Sequence, residues 1–250
     1  MFMSLEKQPP GIVERVEIPS RFLGETREIH VYLPHNYSPL YKYPVLYIND
    51  GSDYESMGRM ISLLNERFQN RQARRFLVVF VPVDKSVRRE EYHPAGSKHQ
   101  AYVRFFADEL VPTVEERYAA FPMGPARGIL GSSLGATAAL HTLLTYPRKF
   151  HYLALQSGAF QDASYEGVTA KGRELATVPI YQVVGLQEDR FQSASGKVID
   201  ILGQNRKMRD LLQSAGVDVN YAEYDKDHTW GFWQEDLSRV LDHFARHTSF

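Results

Sequence analysis

Four short, nearly continuous apolar runs, separated by longer stretches of helical pattern, set the strongest limit on what this chain can fold into. They are FLVVFVPVD (Phe76–Asp84), ARGILGSS (Ala126–Ser133), HYLALQSG (His151–Gly158) and IYQVVG (Ile180–Gly185). A strand wetted on one face alternates apolar and polar residues, whereas a strand covered on both faces does not. Runs like these therefore belong in the interior of a largely parallel sheet, with helices as the crossovers. The intervening patterns predict helices over Met57–Gln72, His99–Tyr118, Leu134–Thr145, Lys197–Ala215 and Gln234–Arg246. Earlier in the chain IVERVEIP and REIHVYLP do alternate, as half-exposed antiparallel strands would, and YPVLYIND follows them. A last strand is read in VNYAEYDKDHTW. Phe160–Thr177 has no clear period and is expected to be a loop or partial lid. The expectation is one α/β domain over residues 1–250: a mostly parallel central sheet, antiparallel N-terminal strands, and helices on both faces.

Composition narrows the chemistry. The 29 basic and 30 acidic residues nearly cancel, so no global field draws the chain to nucleic acid or an anionic membrane. A local basic run, Arg71–Arg75, reads as a solvated helix face. There is no cysteine, which removes disulfides, thiolate metal sites and cysteine nucleophiles. The start, MFMSLEKQPPGIVERVEIP, lacks the apolar stretch of a signal peptide and no later run approaches a membrane-spanning length, so a cytoplasmic location is expected.

The run ARGIL leads straight into Gly131-Ser132-Ser133-Leu134-Gly135, and small residues then open a helix. This is the strand–turn–helix setting of a GxSxG nucleophile elbow, a turn so sharp that side chains at the two glycines would collide. The central residue, Ser133, is the candidate nucleophile, and the amide of Leu134 at the helix start is a candidate oxyanion donor. The competing reading is a turn that merely needs small residues.

A serine hydroxyl needs a base, usually an imidazole held by a carboxylate, and in this setting the chain order is Ser, acid, His. His141 lies inside the helix after the elbow and His151 opens the next strand, so both read as structural. His243 and His247 read as solvated positions on the last helix. His228, between the last strand and the final helix, is the candidate base. The acid is expected in VVGLQEDRF, from Glu188, three residues after Gly185, or from Asp189. A second oxyanion amide is expected after Asn49-Asp50-Gly51, from Ser52 or Asp53. No metal-ligand arrangement is apparent, and no cofactor is expected.

With these parts located, the chain resembles the esterase family of α/β-hydrolases. That group includes esterase D, feruloyl esterases, mycolyltransferases and hydrolases of catecholate siderophore trilactones. The resemblance rests on VYLPHNY, YPVLYINDG, RREEYHP, FADELVPTVEERY, ARGILGSSLGATAALHTLLTYPRKF and HTWGFW. It implies the α/β-hydrolase fold and a serine carboxylic ester hydrolase. The implied roles are Ser133 as nucleophile, His228 as base, Glu188 or Asp189 as acid, and oxyanion donors from Leu134 and the loop after Gly51. INDG in place of an HG pair, together with RREEY, is closest to the siderophore-esterase branch. There Arg88 or Arg89 would meet a polar or acidic group of the substrate, with solvated surface arginines as the competing reading. Independently of the branch, HTWGFW reads as an aromatic wall that packs and positions His228, and Trp230 and Trp233 are candidates to line an acyl or aryl pocket, with packing at the helix start as the equal alternative. Ala136 departs from the two glycines many members carry at 135–136. The partner implied is a small-molecule ester, with a homodimer left open. Transfer of the acyl group to an alcohol, or a binding protein that kept the fold without activity, are the competing functions.

Overall fold

The computed structural model describes residues 9–69, 74–193 and 196–248. The strands are β1 (Ile12–Ser20), β2 (Glu25–Leu33), β3 (Val45–Asn49), β4 (Leu77–Val81), β5 (Arg127–Ser132), β6 (Tyr152–Gln156), β7 (Ile180–Gly185), β8 (Phe191–Gln192), β9 (Val198–Ile199) and β10 (Val219–Tyr224). Among the described residues eight of them form one sheet in the order β1-β2-β4-β3-β5-β6-β7-β10, while β8 and β9 pair only with each other. β1 and β2 are antiparallel, β2 meets β4 antiparallel, and every later pairing in the large sheet is parallel. The alternating N-terminal runs and the continuous inner runs thus sort as their patterning predicts.

The helices are α1 (Gly51–Ser56), α2 (Met60–Gln69), α3 (Arg88–Tyr92), α4 (His99–Phe105), α5 (Val111–Arg117), α6 (Leu134–Thr145), α7 (Asp162–Lys171), α8 (Ile201–Ser214) and α9 (Trp230–His247). Side chains of a strand alternate between faces, and the core divides accordingly. Val45, Tyr47, Leu77 and Val79 join a cluster with α4 to α8, whereas Leu46, Ile48, Val78 and Phe80 join one with α2 and α9. Nine of the twelve residues of α6 are buried, so the helix behind the elbow is encased.

Four expectations need correction. Phe160–Thr177 is not a loop: α7 occupies Asp162–Lys171, with Tyr165 and Val168 buried against the core. Few apolar residues are needed to hold a short helix packed between α6 and α8, so its period is hard to see. The single helix expected over His99–Tyr118 is interrupted by a π-helical turn, Phe106–Leu110, between α4 and α5. Pro112, in the first turn of α5, has no N–H to donate and a ring that clashes with the carbonyl four residues back. A wider turn before it removes that conflict. The helix expected over Gln234–Arg246 begins four residues earlier, at Trp230; Gly231 hides its start. His243 is buried, with its ring about equally far from Tyr152 (5.5 Å) and Tyr181 (5.4 Å), while His247 is exposed. The end of the first predicted helix and Arg71 to Ala73 of the basic run lie outside the described residues; Arg74 is exposed.

Burial pushes the His243 imidazole down to about 4, with the charges of His247 and Arg246 acting in the same direction. Burial likewise lowers His141, which contacts Ser164 Oγ at 3.0 Å, to about 4. Below the ordinary imidazole value the unfolded chain takes up protons that the folded chain refuses, so stability falls as pH drops from about 6.5 toward 4, by up to roughly 2–3 kcal/mol per histidine. The melting temperature of the wild type is therefore expected to fall between pH 7.5 and pH 5. In His243→Gln the fall should be smaller; an undiminished fall in that variant would show that His243 is not its source.

Candidate active site

β5, β7 and β10 end at the same edge of the sheet, and each hands one residue to a common point. Ser133 follows β5 with φ 50° and ψ −122°, a left-handed φ that costs a non-glycine residue energy and is retained where surrounding structure enforces it. Its amide donates to Gln156 O on neighbouring β6 (2.9 Å), and its carbonyl accepts from Ala136 and Ala159. Both flanking glycines leave little room for a side chain, Gly131 against backbone and Gly135 against the Asp50 side chain. A Cβ at Gly131 would lie 2.3 Å from the carbonyl oxygen of Gly135, and one at Gly135 would lie 2.6 Å from the Asp50 carboxylate.

His228 sits in the loop between β10 and α9. Its Nε2 is 2.9 Å from Ser133 Oγ and its Nδ1 is 2.6 Å from Glu188 Oε2. A carboxylate can only accept, so Nδ1–H donates to Glu188 and Nε2 is left to accept the serine proton. The imidazole is 6% exposed and Glu188 is fully buried. The ring is held edge-on by Trp233 at 4.9 Å and covered by Phe191 at 4.2 Å. Glu188 lies in the turn after β7. Its other oxygen accepts from the Gly185 amide and from Ser157 Oγ, each at 2.7 Å, and Ser157 Oγ accepts from Trp233 Nε1 at 2.9 Å. The buried carboxylate therefore has three donors, which makes its burial tolerable. Asp189, the alternative acid, is exposed.

Leu134 opens α6, and its amide has no hydrogen-bond partner among the described residues, as expected for a first-turn N–H. After β3, Asp50 takes a left-handed conformation (φ 56°, ψ 40°) and α1 starts at Gly51. Of the two amides expected as second donor, that of Asp53 is already committed to Asp50 O at 2.9 Å, because α1 begins earlier than a simple DG turn would allow. The Ser52 amide has no partner among the described residues. Arg88 does not stand open to a ligand: its Nε and Nη2 donate to the two oxygens of Asp50 at 2.6 and 2.7 Å. Arg89 is exposed. Trp230 stacks edge-on against Tyr54 (4.9 Å) and Trp233 (5.1 Å), one ring removed from the imidazole.

Beneath the site a buried polar chain went unseen in the sequence. Tyr54 Oη donates to Gln156, whose amide donates to Asp236, which also accepts from Tyr181 Oη. Burial raises the Asp236 carboxyl above its ordinary value. Ser157 was also missed; its signal was the polar pair Gln156-Ser157 closing an otherwise apolar strand. Among the described residues no group of three or more His, Asp or Glu is gathered as a metal ion would need, and no helix is long and apolar enough to cross a membrane.

Comparison with known proteins agrees with this architecture. The family model Esterase, described as "Putative esterase", matches residues 20–244. "Uncharacterized protein YjcH" of Bacillus subtilis (strain 168) is 37% identical over 232 residues, covering 92% of this chain and 96% of that protein. A solved ferulic acid esterase superposes with a TM-score of 0.77 at 16% identity, covering 96% of this chain and 99% of its own. The ferric enterobactin esterase of Salmonella typhimurium also gives 0.77, at 17% identity, over 94% of this chain and 58% of its own. The fold is that of the α/β-hydrolases.

Proposed function

The chain belongs to the Esterase family and is a carboxylesterase-type hydrolase, and on that premise we propose that it cleaves esters through an acyl-enzyme on Ser133, with His228 as general base and Glu188 as the acid that orients it. The observation that carries the reading is the continuous relay from Ser133 Oγ through both nitrogens of His228 to Glu188, at 2.9 and 2.6 Å. In the first half-reaction Oγ attacks the ester carbonyl carbon as its proton passes to Nε2. The carbonyl oxygen becomes an oxyanion facing the amides of Leu134 and Ser52. The imidazolium, stabilised by Glu188, then gives its proton to the departing alkoxide, and the alcohol leaves. Water, deprotonated by the same nitrogen, attacks the acyl-enzyme and releases the acid. Trp230 serves as an apolar wall for the acyl or aryl group.

Neighbours named as a ferulic acid esterase and as enterobactin esterases make feruloyl esters and catecholate trilactones both worth testing, and the siderophore reading is the more specific of the two. The test is a panel of p-nitrophenyl short-chain esters, feruloyl esters, S-formylglutathione and catecholate trilactones, each with and without glycerol as acceptor. Free acid is the expected product from at least the activated short-chain esters. Glyceryl ester as the dominant product would make the protein an acyltransferase, and no turnover across the panel would defeat the hydrolytic reading.

A further inference from the structure

The motif RREEY contributes nothing to the relay, yet its short helix α3 is fastened to the site from several sides. Arg88 grips both carboxylate oxygens of Asp50, at 2.6 and 2.7 Å, and its guanidinium lies over the Tyr92 ring at 5.2 Å. Tyr92 Oη accepts from the amide of the same Asp50 at 3.0 Å. Glu91, fully buried, is ion-paired with Arg27 of β2, which ties α3 to the sheet. Asp50 is itself only 2% exposed, and its left-handed backbone turns β3 into the segment carrying the Gly51 and Ser52 amides. The neighbouring residue locks this turn to the elbow: Asn49 Nδ2 donates to Gly135 O at 2.9 Å, and Asn49 Oδ1 accepts from Tyr102 Oη at 2.6 Å.

A two-pronged guanidinium–carboxylate pair fixes direction as well as distance, which a lysine cannot do. Resting on the Ser133 reading above, we propose that Arg88 is a positioning residue: through Asp50 it holds the turn after β3 in the conformation that aims the Ser52 amide at the oxyanion formed on Ser133. This replaces the expectation that Arg88 meets the substrate. An oxyanion donor matters in the transition state and hardly at all in the ground state, and that difference makes the two roles separable.

The experiment compares wild type, Arg88→Ala, Arg88→Lys, Asp50→Asn and the Arg88→Ala/Asp50→Asn pair on a neutral and an anionic p-nitrophenyl ester. Inhibition by an alkyl trifluoromethyl ketone, whose serine adduct carries an oxyanion, is measured in parallel. Complete loss of one oxyanion donor costs about 10²–10³ in kcat, so a misaimed donor in Arg88→Ala should cost roughly 10–100-fold. KM should stay within about twofold on both esters, because ground-state binding is untouched. The ketone should weaken in step with kcat/KM, Arg88→Lys should recover little, and the pair should be no worse than its worse member, as expected of residues acting as one unit. A rise in KM confined to the anionic ester would make Arg88 a substrate contact and overturn the proposal, as would fully additive losses or unchanged kcat. Wild type that neither turns over ester nor binds the ketone would instead defeat the Ser133 reading. Arg88→Lys keeps the charge at a side chain already 24% exposed, so a folded variant is available if Arg88→Ala is not.

Discussion

Replacing Ser133 with alanine is expected to lower kcat for p-nitrophenyl butyrate by about 10⁴–10⁶ and to abolish labelling by a fluorophosphonate, while Ser132→Ala keeps most of both. The two serines are adjacent but belong to different parts of the fold. Ser132 is the last residue of β5 and 2% exposed, its side chain turned toward the buried Tyr54 phenol. Ser133 is past the strand, in the left-handed conformation that lifts its hydroxyl to within 2.9 Å of His228 Nε2. Without Oγ no acyl-enzyme can form, and only binding and the oxyanion amides remain to assist water. Retention of activity by both single variants would mean that neither serine is the nucleophile.

Glu188→Gln is the second large effect, expected at about 10³–10⁴ in kcat, against less than about twofold for Asp189→Asn. An amide at 188 can present N–H to Nδ1, which favours the tautomer protonated at Nε2. That nitrogen then cannot accept the serine proton. The substitution is close to isosteric and keeps the acceptor toward Ser157 Oγ and the Gly185 amide, so the fold should survive and the loss should read as chemistry. A matched comparison of kcat and thermal melting for both variants checks this. Damage at Asp189 with an unharmed Glu188→Gln would reassign the acid.

Much of the architecture was legible because burial writes directly into the pattern. The inner strands β4 to β7 are covered on both faces and read as unbroken apolar runs, whereas β1 and β2 alternate. The serine and histidine candidates were legible for a different reason: both follow strands, in an order that chain topology enforces. Between Glu188 and Asp189 the sequence offered only the offset from Gly185, which favours Glu188 without deciding it, since neighbours on a loop differ in which one turns inward. That depended on Ser157 and Trp233, residues far away in sequence whose hydrogen bonds exist only in the folded chain. α1, α3 and α7 were illegible because helices of five to ten residues, wedged against larger elements, need few apolar residues and give no sustained period. Arg88 was noticed as a charge, but its pairing was illegible, because its partner Asp50 lies 38 residues earlier.

The β8–β9 ribbon has a bearing on how such a chain can diversify. Among the described residues it pairs with itself and with no strand of the eight-stranded sheet, yet its Phe191 ring rests on the imidazole of His228. Exchanges at Phe191 leave the strand pairings of the main sheet intact while changing what rests on that imidazole. On the Ser133 reading, a lineage, or an engineer grafting ribbons between relatives, varies the cover of the imidazole while keeping the strands that carry Ser133, Glu188 and His228.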